Sequence, residues 1–148
     1  MKNTKGTFIV MFYRISNMIY RSSPWTLFLF PIRVIYKILL NYIMGIEIPD
    51  TLVIGKNLRI FHGQGIVIHQ GCKLGDNLTL RHNVTIGNSV SNGKCPVLGN
   101  NINIGCGVVI IGDIEIKDNV NIGANTLVNK SVPENSTVVG NPMKILKN

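Results

Sequence analysis

The sequence predicts a mainly β fold, a parallel β-helix of about five coils preceded by a short helical N-terminal segment, and three patterns in its 148 residues carry that expectation. First, from Ile48 an aliphatic side chain returns at every sixth position: Ile54, Ile60, then after a two-residue insertion Ile68, Leu74, Leu80 and Ile86, then Leu98, Ile104, Ile110, Ile116, Ile122 and Val128, with Asn92 as the one interruption. Second, a small or apolar residue follows four positions after the first, as at Leu52, Leu58, Cys72, Leu78, Val84, Ile102, Val108, Ile114 and Val120. Third, Asn57, Asn77, Asn83, Asn101, Asn119 and Asn125 take the fourth place of their hexads, where Asn tolerates the positive φ of a sharp corner.

Neither the 3.6 period of a helix nor the alternation of a simple strand produces a six-residue repeat. Short strands joined by tight corners do. Three hexads close a triangular coil of about 18 residues, and five coils between Ile48 and Val139 would stack, at ~4.8 Å per strand, to roughly 24 Å. This places the repeat domain at 47–148, including a C-terminal tail.

Residues 1–46 form a different segment. They hold six basic side chains and no acid, whereas 47–148 hold nine basic and seven acidic, so the net charge of +8 is concentrated at the N-terminus. Phe8, Phe12, Ile15 and Ile19 make a helical stripe with Arg14, Asn17 and Arg21 on another face. Ser23-Pro24 is a helix-start signal, and Ile32, Ile35, Tyr36 and Leu39 make a second stripe opposite Arg33, Lys37 and Asn41. Two destinations stay open: packing on the prism or a neighbouring subunit, or a basic amphipathic surface on anionic lipid, for which Trp25, Phe28 and Phe30 are suited.

Arg14 interrupts the apolar run Phe8–Tyr13 and no small-residue cleavage site follows, so a secretory signal peptide is not expected. Within residues 1–46 the longest charge-free stretch, 22–32, holds two prolines and is shorter than the ~20 residues of a spanning helix. Cys72, Cys95 and Cys106 form no CxxC pair, and an odd count suits a reducing compartment. A cytoplasmic location follows, with the inner face of the membrane as the extension if the leader binds lipid. The basic charge does not point to nucleic acid, because no aromatic–basic cluster lies on the repeat.

Departures from the repeat are the places to look for chemistry. The bulge Phe61-His62-Gly63-Gln64-Gly65 and the loop 88–97 are the two excursions. His62 is the third residue of its hexad, and so is His82, twenty positions on, which is one coil plus the two inserted residues. The two imidazoles are expected on one edge in adjacent coils, a proton-handling arrangement; the alternative is a pair of plain corner residues.

The segments Gly45–Pro49, Ile54–Leu58, His62–Ile68, Arg81–Gly87 and Val139–Lys144 resemble the left-handed parallel β-helix acyltransferases. Within those, they resemble the serine acetyltransferase branch, and especially its short members tied to capsule, exopolysaccharide or colanic-acid-type biosynthesis. The resemblance implies acetyl-CoA as co-substrate, no metal, and a homotrimer with active sites between subunits. It places His62 as the base that takes the acceptor hydroxyl's proton, with Glu47, fifteen residues earlier, as the carboxylate that orients the imidazole. His82 would assist the base or bind sugar hydroxyls. Gly87, Gly105, Cys106, Gly107, Gly123 and Ala124 would let pantetheine run close to the backbone, and Lys130 and Lys144 would face the CoA phosphates. Small corner residues are also what the fold itself needs.

Phe61 stands where serine acetyltransferases carry an Asp, and Lys94-Cys95-Pro96 where they carry Arg-His-Pro. Phe61, Gln64, Lys94 and Cys95 are the expected acceptor-binding set; the loss of the family's serine-binding residues, the short leader and the fit of His82 to the polysaccharide-linked members favour a sugar hydroxyl, with serine as the alternative. Two other classes compete. A zinc enzyme on this fold would need His62, His69 and His82 as ligands, but they lack the close pair that such a site requires. A non-catalytic scaffold would not need the bulge with Glu47 behind it.

Overall fold

The computed structural model describes residues 4–22 and 28–147, and its core is the expected prism. Strands β1 (Val53–Ile54), β4 (Lys73–Leu74), β7 (Val97–Leu98) and β10 (Glu115–Ile116) stack in parallel as a first face. The second face is β2 (Arg59–Ile60), β5 (Thr79–Leu80), β8 (Asn103–Ile104), β11 (Asn121–Ile122) and β13 (Ser136–Val139), closed by the antiparallel β14 (Lys144–Lys147). The third is β3 (Val67–Ile68), β6 (Thr85–Gly87), β9 (Val109–Ile111) and β12 (Leu127–Val128). Four coils visit all three faces. A fifth, through Val132 and β13, visits two.

The register explains the six-residue period. Ile54 lies beside Leu74, Ile60 beside Leu80 and Ile68 beside Ile86, so the aliphatic positions stack directly on one another. Every one of the thirteen expected hexad positions from Ile48 to Val128 is buried. Of the second set, Ile114 alone is only partly buried. All six expected corner asparagines have positive φ, between 57° and 59° for five of them and 54° for Asn57. On the corner between the first and second faces, Asn57, Asn77, Asn101, Asn119 and Asn135 form a ladder of amide–amide hydrogen bonds at 2.9–3.0 Å. Each amide thus satisfies its neighbour while its backbone makes the turn.

The leader contains α1 (Thr4–Arg21), α2 (Phe30–Lys37) and a π-helical turn over Ile38–Ile43, where the Met44 N–H bonds to the carbonyl of Leu39. It packs on the first coil, but with a face other than the one its apolar stripe suggests. The inward side of α1 is Ile9, Tyr13, Ser16, Asn17 and Ile19, while Phe8 and Ile15 point outward. The cause is polar. The coil's first turn presents the Asp50 carboxylate and the carbonyls of Asp50 and Leu52, and these need donors. Ser16 Oγ donates to Asp50 Oδ2 at 2.8 Å, Asn17 Nδ2 to the Asp50 carbonyl at 2.6 Å, and Tyr13 Oη to the Leu52 carbonyl at 2.7 Å. Arg33 completes the set with an ion pair to Asp50 at 2.7 Å, and Tyr36 Oη donates to the Ile48 carbonyl. In α2, Tyr36 is buried and Ile35 faces outward. The expected helix start at Ser23-Pro24 and the interfacial Trp25 lie outside the described residues; the described helix begins with Pro31 in its first turn.

Candidate active site

His62 follows β2 at the corner between the second and third faces, and its backbone is unusual. Its φ is 67°, in a region that non-glycine residues seldom enter, and the Gly63 N–H bonds back to the Phe61 carbonyl at 2.9 Å across a three-residue turn. Gly63 and Gly65 also have positive φ, 73° and 64°. A Cβ on Gly63 would stand 2.5 Å from Ile9 Cδ1, so the missing side chain is what lets α1 seat against the bulge. His62 is thus an exposed imidazole on a backbone that its surroundings hold in the left-handed region.

His82 lies where the spacing places it. Its ring centroid is 5.6 Å from that of His62, edge-on at 82°. His82 Nδ1 is buried with no hydrogen-bond partner, a polar atom whose demand the chain itself leaves unmet. The register extends this edge coil by coil. Because Leu80 continues the Thr79–Asn103 pairing and Ile104 lies beside Ile122, which lies beside Val138, the residues two positions on, His82, Cys106, Ala124 and Gly140, stack above His62. The Gly107 N–H donates to the His82 carbonyl at 3.1 Å and the Asn125 N–H to the Cys106 carbonyl at 2.8 Å, tying the layers together.

Gly105, Cys106, Gly107, Gly123 and Ala124 are therefore brought together on the same edge as the two histidines. Gly105 has no room for a side chain, since a Cβ would stand 2.5 Å from Ala124 N. Gly87 is not on this edge; it ends β6 on the third face, in a groove of about 640 Å³ shared with Glu47, Lys37 and His69. Lys144 pairs with Val139 at the top of the edge, whereas Lys130 follows β12 at the opposite corner of the third face.

Glu47 is exposed on the third face, its backbone bridged to Val67. No hydrogen bond or ion pair joins its carboxylate to His62 among the described residues. The acceptor set divides as well. Phe61 and Gln64 flank His62, but Lys94 and Cys95 lie at the corner between the third and first faces, one whole face away within a single chain. Lys94 pairs there with Asp113 at 2.9 Å, and Cys95 Sγ lies 3.0 Å from His69 Nδ1. Burial, reinforced by the contact with Cys95, pushes the neighbouring Cys72 thiol up to about 12.

One feature beside His62 was not legible as a site. An open groove of about 390 Å³ on the second face is lined by Arg59, Phe61, Asn77, Thr79, Arg81 and Asn103. Arg81 donates to Asn103 Oδ1 at 2.8 Å and lies over the Phe61 ring at 5.9 Å. The signal was the outward residue just before each inward one on this face, Arg59, Thr79 and Asn103, which reads singly as a solvated position.

Comparison with known proteins agrees with this fold. WcaB of Escherichia coli strain K12, named as an acetyltransferase of colanic acid biosynthesis, is 39% identical over 116 residues, covering 78% of this chain and 72% of its own. A serine acetyltransferase of Staphylococcus aureus is 47% identical over 109 residues, 72% of this chain and 51% of that one. Among solved structures, the serine acetyltransferase of Neisseria gonorrhoeae superposes with a TM-score of 0.83 at 30% identity, covering 97% of this chain and 55% of that one. Soybean serine acetyltransferase complexed with serine gives 0.83 at 27% identity, covering 97% of this chain and 58% of its own. The chain thus spans a little over half the length of these serine acetyltransferases. No family model matches the sequence. With a β-solenoid of about five coils and relatives of this identity and coverage, the chain belongs to the hexapeptide-repeat, left-handed β-helix acyltransferases, related to both WcaB-like and serine acetyltransferase-like members.

Proposed function

We propose that the protein is an acetyl-CoA-dependent O-acetyltransferase with His62 as general base. The observation that carries this reading is the edge itself: a strained, exposed His62 edge-on to His82, below a row of small residues at Cys106, Ala124 and Gly140. A long flexible acyl donor can lie along such a row close to the backbone, with its reactive end at the imidazoles. The His62 imidazole takes the acceptor's hydroxyl proton as the oxygen attacks the thioester carbon. A C–O bond forms, the C–S bond breaks, and the imidazolium returns the proton to the CoA sulfur. A backbone N–H at the corner would stabilise the intermediate's oxyanion.

Glu47 and His82 are the candidate positioning residues for that base. Lys144, at the top of the edge, suits a CoA phosphate; Lys130 and the Lys94–Cys95 corner would act only if a neighbouring subunit of a homotrimer faces them to this edge.

For the acceptor, the serine acetyltransferases compared above, one of them complexed with serine, support a serine hydroxyl better than a sugar. A second reading, a sugar hydroxyl in polysaccharide biosynthesis, is favoured by the groove beside His62, where Arg59, Arg81, Thr79 and Asn103 offer the mixed donors and acceptors a hydroxyl-rich ligand needs. WcaB's name points the same way. Thiol release from acetyl-CoA by the purified chain, with serine and with a panel of nucleotide sugars and glycans, separates them. Turnover on serine alone supports the first acceptor and on sugars alone the second; no acetyl-CoA binding overturns the proposal.

A further inference from the structure

The helical leader carries apolar side chains on both sides, with Ile9, Tyr13 and Ile19 of α1 turned inward and a second set turned outward. Its inward face carries Ser16 and Asn17, satisfied by Asp50 and the first-coil carbonyls. Its outward face carries Phe8, Met11, Ile15 and Met18, successive at three- and four-residue spacing and 36–62% exposed. In α2 and the turn after it, Ile35, Ile38 and Tyr42 are likewise outward, Tyr42 at 84%. The helices pack on each other through the Phe12–Tyr36 ring contact at 5.4 Å. An apolar stripe running the length of α1, with further exposed apolar side chains on the helix beside it, marks an interaction surface.

Charge selects the occupant. Residues 1–46 contain no acid, and Lys5 and Arg21, at the two ends of the outward stripe, have no ion-pair partner among the described residues. A second copy of the same face would set cations against cations. An anionic bilayer would meet both the apolar side chains and the cations around them. No described helix is long and apolar enough to cross a membrane, so the contact would be interfacial.

We propose that the outward face of α1 and α2 is a binding surface for anionic phospholipid. The leader covers the end of the prism that carries His62, with Ile9 against Gly63, so docking holds the His62 corner at the bilayer. The site is independent of which acceptor the enzyme uses.

The test is co-sedimentation of the full chain with vesicles of phosphatidylcholine alone and with about 30% phosphatidylglycerol added. Binding to the anionic vesicles is expected, with at least about tenfold weaker binding to the neutral ones and in Met11→Glu/Met18→Glu. Both side chains point outward, so the variant should melt as the parent does, and a variant that unfolds is replaced by Lys5→Glu/Arg21→Glu, whose positions extend the same stripe by three residues at either end and for which the same loss is expected. Protein left in the supernatant with anionic vesicles overturns the proposal, as does equal binding by the variants. A fall in oligomeric mass on Met11→Glu/Met18→Glu, without vesicle binding by the parent, would assign the face to a second copy instead.

Discussion

Replacing Asp50 probes what fixes the leader, and through Ile9 and Gly63 the His62 bulge, to the first coil. The Asp50 side chain is 2% exposed and accepts from Arg33 Nε at 2.7 Å and Ser16 Oγ at 2.8 Å. In Asp50→Ala the Arg33 side chain, 13% exposed, would stay covered without its counter-charge. Removing one partner of a buried ion pair costs about 3–5 kcal/mol. Arg33 keeps its stacking over Tyr20 at 4.9 Å, and Asn17 keeps its backbone acceptors, so the lower end applies. A loss of about 3 kcal/mol in a chain of this size lowers Tm by roughly 6–12 °C. Calorimetry at fixed protein concentration reads this directly. Arg33→Met/Asp50→Leu should lose less than Asp50→Ala, because no unpaired charge remains. A fall in Tm under about 2 °C for Asp50→Ala, or a double variant as unstable as the two single losses combined, would refute the reasoning.

The same carboxylate sets a pH dependence. Burial alone would raise its pKa, but the hydrogen bonds from Arg33 and Ser16 outweigh burial and hold it below the usual carboxylate range. Its folded value is thus below its unfolded one. The stabilisation is complete above the unfolded value of about 3.9 and is lost as pH falls through the folded value. The Tm gap between parent and Asp50→Ala should therefore be constant near neutrality and close only below about pH 4.

Gly105→Ala puts a Cβ against the Gly123–Ala124 backbone and should destabilise by at least about 1–3 kcal/mol, read by urea unfolding; a neutral effect would mean that the coils do not stack as described. Asn101→Ala loses two ladder bonds at a residue of φ 57°, a loss of about 1.5–2 kcal/mol, and Asn101→Gly should recover the backbone part; equal losses would show that φ is not the issue. In native protein at pH 8 iodoacetamide should alkylate the partly exposed Cys95 well before Cys72, whose buried thiol is pushed up to about 12, and peptide mass spectrometry giving the reverse order would contradict the burial assigned to Cys72.

The prism was legible because each hexad repeats one environment: stacking puts Ile54 beside Leu74 and Ile60 beside Leu80, so the period records the core directly. The corners were legible for the same reason, since Asn at the fourth place serves the turn and the ladder at once. His62 and His82 could be paired by counting, because the insertion is only two residues. The leader's orientation could not be read from its apolar stripe. Asp50 and the open carbonyls of the first coil draw Ser16 and Asn17 inward, and that demand belongs to residues more than thirty positions away. The Cys95–His69 contact spans 26 positions across the irregular loop 88–97, where the period gives no register. Arg59 and Arg81 converge only once β2 and β5 pair, and nothing local marks either as part of a groove.

The most direct test of His62 as the base is thiol release from acetyl-CoA by the parent and by His62→Asn, with serine and with sugar acceptors. Asn tolerates positive φ, so this variant keeps the turn while removing the proton acceptor, and an unchanged circular dichroism melt verifies that the fold is intact. The account predicts acceptor-dependent release by the parent and a loss of at least about a hundredfold in kcat for His62→Asn, with acetyl-CoA binding retained. Turnover by folded His62→Asn at the parental rate would contradict it.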